Sequence, residues 1–223
     1  MRSFNKHIEI ISETFPKEQI EKILSTPKTF FDDCHVLYPA DKNGAHLLRF
    51  FDITSIINPH HCYVEWIADD IIGWIEREKI DIDVVFAPNQ LGTSRLAINL
   101  AVELGIRWAL WEYLPSGRFG ENFWENEIDP EDRVLVFNGV SQQGRCVGQR
   151  LPEFVKRFGG NVVAAAVFAK GTDNFVAEVE KTYGSKFYSA IQVDIPVYKY
   201  EECPKCLAGD KDSFQSWIEL VSS

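Results

Sequence analysis

The chain has 223 residues, long enough to enclose a full apolar core, and 45% of them are hydrophobic against 25% charged, an ordinary globular balance that argues against disorder or a repetitive fibre. Acids outnumber lysine plus arginine by 33 to 23, a formal charge of −10, which works against gripping a nucleic-acid backbone unless basic groups cluster, and none do so along the sequence. No apolar stretch approaches a bilayer's length, and Met1-Arg2-Ser3-Phe4-Asn5-Lys6 lacks the apolar segment of a signal peptide. The five cysteines are odd in number and irregularly spaced, so reduced thiols in a cytoplasmic protein are the expectation.

In chain order, a first helix is expected after Pro16, with Ile20, Ile23 and Leu24 on one face. From Thr29 to Ile56 the pattern is strand-like, with a reversal at Asp41-Lys42-Asn43-Gly44. Asn58 and Pro59 then open a long amphipathic helix reaching about Lys79, with Val64, Ile67, Ala68, Ile71, Ile72 and Ile75 at helical spacing. Beyond it, short β-branched runs alternate with helical stretches. Strands are expected at 83–87, 108–113, 133–137, 161–169 and 187–193, helices at 94–104, 146–158 and 174–183, and a short final helix near 214–220. Residues 114–132 form a turn-rich insertion, a projecting hairpin or loop. The order predicts an α/β fold with a doubly wound parallel sheet, its ligands off the carboxyl ends of the strands. We read one unit, with 58–195 as the α/β core and 1–57 joining the tail 196–223 as a hood. A dinucleotide-binding Rossmann domain is disfavoured, because no Gly-x-Gly-x-x-Gly follows a first strand.

The strongest local feature is Val134-Leu135-Val136-Phe137 running into Asn138-Gly139-Val140-Ser141-Gln142-Gln143-Gly144-Arg145 and then a helix. Such a turn can present successive backbone N–H groups to a phosphate at the positive end of a helix, with a hydroxyl from Ser141 and a charge from Arg145. An ordinary strand-to-helix connection is the plain alternative. Phe119, Phe123 and Trp124, on the insertion, could touch a ligand or partner, whereas Trp108 and Trp111 read as opposite faces of one strand. Cys203-Pro204-Lys205-Cys206 has the spacing of a zinc knuckle, but zinc needs four ligands and no second pair follows. Cys34-His35 or His60-His61-Cys62 could complete it only through tertiary proximity. No metal is expected, and two small thiols in a folded tail are preferred. A redox role is disfavoured because this pair does not open a helix after a strand.

These segments together resemble the type I phosphoribosyltransferases, most closely the orotate phosphoribosyltransferase branch. Residues 134–145 align with the family's loop for phosphoribosyl diphosphate (PRPP). Val84 to Ala97, containing Pro88-Asn89-Gln90-Leu91-Gly92, resembles its pyrophosphate loop. Gly44-Ala45-His46 resembles the hood, and Ile195 to Gly209 the orotate-branch tail. The resemblance implies a pentosyl-type glycosyltransferase of pyrimidine nucleotide metabolism, a homodimer, and Mg²⁺ if active. It also implies an acidic pair on the ribose hydroxyls, where this chain has Asn138-Gly139, and paired threonines, where it has Gln142-Gln143. Of the basic residues expected on the mobile loop, 114–127 holds only Arg118.

Asn138 and Arg118 are therefore the sole candidates for catalytic groups, with Glu112, Asp173 or Asp194 as substitute acids near a metal. Two readings stand: a transferase with altered chemistry, or a non-catalytic protein that senses PRPP or a nucleoside monophosphate as a regulator or scaffold. If the family's loop geometry persists, Asn138→Asp with Gly139→Asp should strengthen Mg²⁺-dependent binding.

Overall fold

A computed structural model describes residues 6–39, 44–210 and 214–222. The elements run β1 (Ile8–Ile10), α1 (Lys17–Leu24), β2 (Phe30–Tyr38), β3 (Ala45–Phe51), α2 (Ile53–Ile57), α3 (His61–Arg77), β4 (Val84–Pro88), α4 (Leu91–Leu104), β5 (Arg107–Tyr113), β6 (Phe119–Glu125) and β7 (Arg133–Ser141). A π-helical turn, Cys146–Arg150, leads into α5 (Leu151–Arg157). Then follow β8 (Asn161–Lys170), α6 (Asn174–Tyr183), β9 (Phe187–Val193), β10 (Val197–Tyr198), α7 (Pro204–Leu207) and α8 (Trp217–Ser222).

The large sheet has seven strands in the order β1-β9-β8-β7-β4-β5-β6, and the small one three, β10-β3-β2. Strands β9, β8, β7, β4 and β5 are parallel, while β1 and β6 run antiparallel at the edges. Strict alternation along the strands sorts the core into two layers. Val85, Ala87, Leu135 and Phe137 face α3, α4 and the small sheet. Val84, Phe86, Val134 and Val136 face α5 and α6, joined there by Trp111. Trp108 packs with the first layer, so the two tryptophans do lie on opposite faces. The chain leaves β4 toward β5 on one side and returns to β7 on the other. The carboxyl ends of β4 and β7 therefore flank the crevice where a doubly wound sheet binds ligands.

Several expectations are corrected in detail. The strand-like run to Ile56 ends in a helix, because Asp52 caps α2: its carboxylate accepts from the Thr54 and Ser55 amides at 3.1 and 2.8 Å and from the Ser55 hydroxyl at 2.5 Å. That cap overrides the β preference of the isoleucines. The long helix begins at His61, with exposed His60 at its N-cap position making no side-chain cap bond. Of the expected turn 41–44, residues 41–43 lie outside the described residues. The insertion is a hairpin in which β6 returns along β5. Strand β7 continues four residues past Phe137, pairing Val140 with Ala169 and Ser141 with Lys170, so the loop proper starts at Gln142. Within the segment assigned to the hood, Ile8–Ile10 instead joins the edge of the large sheet against β9.

Replacing Asp52 with Ala removes three hydrogen bonds from the start of α2. It should lower unfolding free energy by about 1–2 kcal/mol in urea titration, with an unchanged denaturant slope.

Candidate functional site

A cavity of about 510 Å³ opens over the carboxyl ends of β4 and β7. The small sheet roofs it with Tyr38, Ala45, Leu47 and Val197, the β5–β6 hairpin walls it with Tyr113, Arg118 and Phe119, and Gln90 and the end of β7 form its floor. The Tyr38 and Tyr113 hydroxyls meet, joining roof to wall. Of the aromatic candidates, Phe119 lines the cavity, Phe123 is packed against Trp111 and Phe158 in the core, and Trp124 is exposed. The phosphate-loop candidates Asn138, Val140, Ser141, Gln142, Gln143 and Arg145 all reach the cavity; Gly139 and Gly144 do not line it.

The interior of this loop is fastened to α4. Thr93 donates its hydroxyl to Asn138 Oδ1 at 3.1 Å and accepts the Gly139 amide at 3.1 Å, while Asn138 Nδ2 donates to Cys146 Sγ at 2.9 Å. Both ends of the Asn138 carboxamide are thus held by the chain, and the residue is only 7% exposed. A Cβ on Gly139 would lie 2.9 Å from Thr93 Oγ1 and 3.1 Å from Ile53 Cγ2. Ile53 and Thr93 fill the space that a side chain at 139 would need.

The ladder ends at Ser141, whose carbonyl accepts from the Gly171 amide at 3.0 Å. Beyond it, no protein acceptor among the described residues meets the amides of Gln142, Gln143 or Gly144. Gly144 has φ +73, the left-handed region that turns the chain into the following helix. The Ser141 hydroxyl is buried without a hydrogen-bond partner. Buried polar atoms in folded proteins rarely stand alone, so this one awaits water or a ligand.

The pyrophosphate-loop candidates converge less well. Of Pro88, Asn89, Gln90, Leu91 and Gly92, only Gln90 lines the cavity. Pro88 is buried in β4, the Asn89 amide donates to Trp111 O at 2.7 Å, and Leu91 is exposed elsewhere. A Cβ on Gly92 would lie 2.9 Å from the same Ile53 methyl that sits against Gly139. One side chain of α2 therefore packs against both glycines.

Charge is arranged in a way that composition hid. Arg118, Arg145 and Arg150 reach the cavity, where the only acids among the described residues are Asp52 and Glu121. The basic residues do cluster, although they are spread along the sequence. The substitute acids lie elsewhere: Glu112 accepts from the Glu121 amide at 3.2 Å, Asp173 caps α6 through the Phe175 amide at 2.9 Å, and Asp194 pairs with Arg49 at 2.8 Å. Asp52 is committed to capping α2, and Glu121 is exposed on the hairpin. A magnesium ion held by carboxylates does not fit these residues.

Cys146 lies beside Asn138 with its thiol held toward the protonated form. Burial pushes its thiol up to about 12, against a smaller lowering from the Asn138 amide. Burial likewise raises Cys34 to about 11. In the tail, Cys203 and Cys206 are buried against His35 and His46, whereas His60, His61 and Cys62 lie exposed at the start of α3. With iodoacetamide near pH 8, exposed Cys62 should be alkylated rapidly, and Cys146, whose thiol burial holds in the protonated form, at least about 100-fold more slowly. Peptide mapping by mass spectrometry reads both; equal labelling would show that the Asn138–Cys146 contact opens freely.

No family model matches the sequence. The orotate phosphoribosyltransferase of Caldanaerobacter subterraneus subsp. tengcongensis is 30% identical over 176 residues, covering 78% of this chain and 84% of that protein. Among solved structures, orotate phosphoribosyltransferase from Aeropyrum pernix superposes with a TM-score of 0.59 at 16% identity over 77% of this chain and 92% of the other. Adenine phosphoribosyltransferase from Thermoanaerobacter pseudethanolicus gives 0.56 at 16% identity over 78% and 99%. The structural likenesses establish the type I phosphoribosyltransferase fold, and the sequence relative establishes the family. The chain belongs to the orotate phosphoribosyltransferase family.

Proposed function

We propose that this protein binds a 5′-phosphorylated ribose ligand, a nucleoside monophosphate in preference to PRPP, and that phosphoribosyl transfer is altered or lost. The observation that carries the reading is the split character of the loop. Its outer half offers the amides of Gln142, Gln143 and Gly144, the orphan hydroxyl of Ser141 and the guanidinium of Arg145, a set suited to one phosphate. Its inner half, where family members carry two carboxylates, is packed shut by Thr93 and Ile53.

Transfer from PRPP breaks the bond from C1′ to the diphosphate and forms one from C1′ to a base nitrogen, with positive charge developing on the sugar. Asn138 offers that charge no countercharge, and losing one such electrostatic group costs about 10²- to 10³-fold in rate. The diphosphate also needs room between the two loops, where the Ile53 methyl touches both Gly92 and Gly139. Arg118, Arg145 and Arg150 favour an anion at the mouth without a metal. Family membership supports the other reading, a working transferase, and activity is the observable that separates them.

Calorimetric titration of the full chain with nucleoside monophosphates, and with PRPP with and without Mg²⁺, should give monophosphate binding indifferent to Mg²⁺. Orotate consumption should be absent at ordinary enzymatic rates. Turnover would overturn the loss of catalysis, and failure of every phosphorylated ligand to bind would overturn the binding site itself. Arg145→Ala should weaken monophosphate binding about tenfold or more, the worth of one charge-assisted hydrogen bond. Gly139→Asp should not restore metal dependence; it should lower the unfolding free energy by about 1–3 kcal/mol through overpacking against Thr93 and Ile53.

A further inference from the structure

The geometry points to a structural zinc site formed by His35, His46, Cys203 and Cys206, remote in sequence and outside the phosphate-binding cavity. The four ligand atoms all lie within 4.8 Å of one another, and all four residues are buried. His35 Nε2 lies 3.0 Å from His46 Nδ1, and Cys206 Sγ lies 3.7 Å from the first and 3.4 Å from the second. Cys203 Sγ is 3.5 Å from His35 Nε2. A tetrahedral ion with Zn–N of about 2.0 Å and Zn–S of about 2.3 Å separates its ligands by roughly 3.3 Å from nitrogen to nitrogen and roughly 3.5 Å from nitrogen to sulfur. Four of the six separations follow that pattern, including the shorter nitrogen pair, and the other two are within 4.8 Å.

The chemistry agrees with the spacing. Two thiolates and two neutral imidazoles around Zn²⁺ make a site of zero net charge, which can be buried without an unpaired ion. Loading displaces one proton from each thiol and breaks no other bond. Two sulfurs and two nitrogens converging on one point suit zinc over hard cations, which prefer oxygen. All four positions come from the protein, so none is left for water or substrate, and the role is structural.

The fold assembles the donors from three places. A bulge between Asp32 and Val36, with Asp33 at φ +60, sets the position of His35 within β2. His46, on β3, lies opposite Leu37 of β2 and opposite Tyr198 of β10. Cys203 sits at the N-cap of α7, and the Leu207 amide closes that turn on Cys203 O at 3.0 Å. Lys205 pairs with Asp33 at 3.0 Å, drawing the tail onto the bulge from outside. Phe214 and Tyr200 wall the imidazoles edge-on. An ion here would clamp the tail to the two strands that carry Tyr38, Ala45 and Leu47 over the cavity.

The test uses the full chain, expressed in zinc-supplemented medium and purified without chelator or polyhistidine tag. Plasma mass spectrometry should find about one zinc per chain. Reduced apo-protein titrated with Co²⁺ should develop the intense visible bands of a tetrahedral thiolate site. Cys206→Ser and His46→Asn should lose the metal, while Cys62→Ser, at an exposed thiol, should keep it. Stripping zinc should lower the midpoint of thermal unfolding by upward of about 5 °C, restored by zinc alone. Metal-free protein that gives no tetrahedral cobalt spectrum overturns the site, as does a Cys203–Cys206 disulfide in protein purified under reducing conditions. Zinc retained in both ligand variants also overturns it. Should those variants fail to fold, stoichiometry and the cobalt spectrum of the unmodified chain still decide.

Discussion

The close approach of α2 and α4 to the end of β7 governs the character of this molecule. Ile53 Cγ2 would lie within 3.1 Å of a Cβ at either Gly92 or Gly139, and the Thr93 hydroxyl bridges Gly139 N to Asn138 Oδ1. Protein interiors transmit such contacts because they are close-packed. With these side chains in place, the loop segment at Asn138 and Gly139 is a stretch of packed core. The Asp52 cap, in turn, keeps Ile53 where it is. The contacts made at this point of the loop are apolar or neutral hydrogen bonds.

The cavity gathers positive side chains in an acidic protein. The net charge of −10 is a property of the whole surface, whereas recognition depends on the local field, and three arginines reach this one cavity. Backbone amides are insensitive to side-chain replacement, so the donors at Gln142 and Gln143 do not depend on which side chains stand at 138 and 139. The two halves of the loop differ accordingly: the outer half presents open backbone donors, and the inner half is packed against Thr93 and Ile53.

The small sheet is the least self-sufficient part of the structure. It has three strands, one of them only two residues long, and it roofs the cavity through Tyr38, Ala45, Leu47 and Val197. So small a sheet is marginal unless packed or stapled. Its apolar face is buried on the main core through Val36, Leu47 and Phe51, and its far end meets the tail at the histidine–cysteine cluster. A metal at that cluster would give the roof a rigid edge, linking tail order to the shape of the ligand cavity.

Much of the architecture was legible in the sequence because alternation and helical spacing are local signals: the parallel strands, α3, α4 and α6 fall close to their expected spans. The strand and turn at 134–145 were legible too, since a buried strand running into a glycine turn is a contiguous pattern. Three things were not. The α2 helix hid within a β-branched run, because its cap is a single aspartate whose effect depends on the following amides. The filling of the crevice by Ile53 and Thr93 joins residues about 40 positions apart to Gly139, which no local pattern encodes. The partners of the Cys203 and Cys206 thiols, some 160 residues upstream in His35 and His46, emerge only when β2, β3 and the tail are brought together. Sequence by itself determined the fold class, the strand-turn-helix at 134–150 and the neutral Asn138-Gly139 pair within it, since each is written in neighbouring residues. Tertiary structure alone decided which side chains fill the vacated space, where the arginines gather and which four donors converge, because those are distances between segments and side-chain chemistry acts only over a few ångströms.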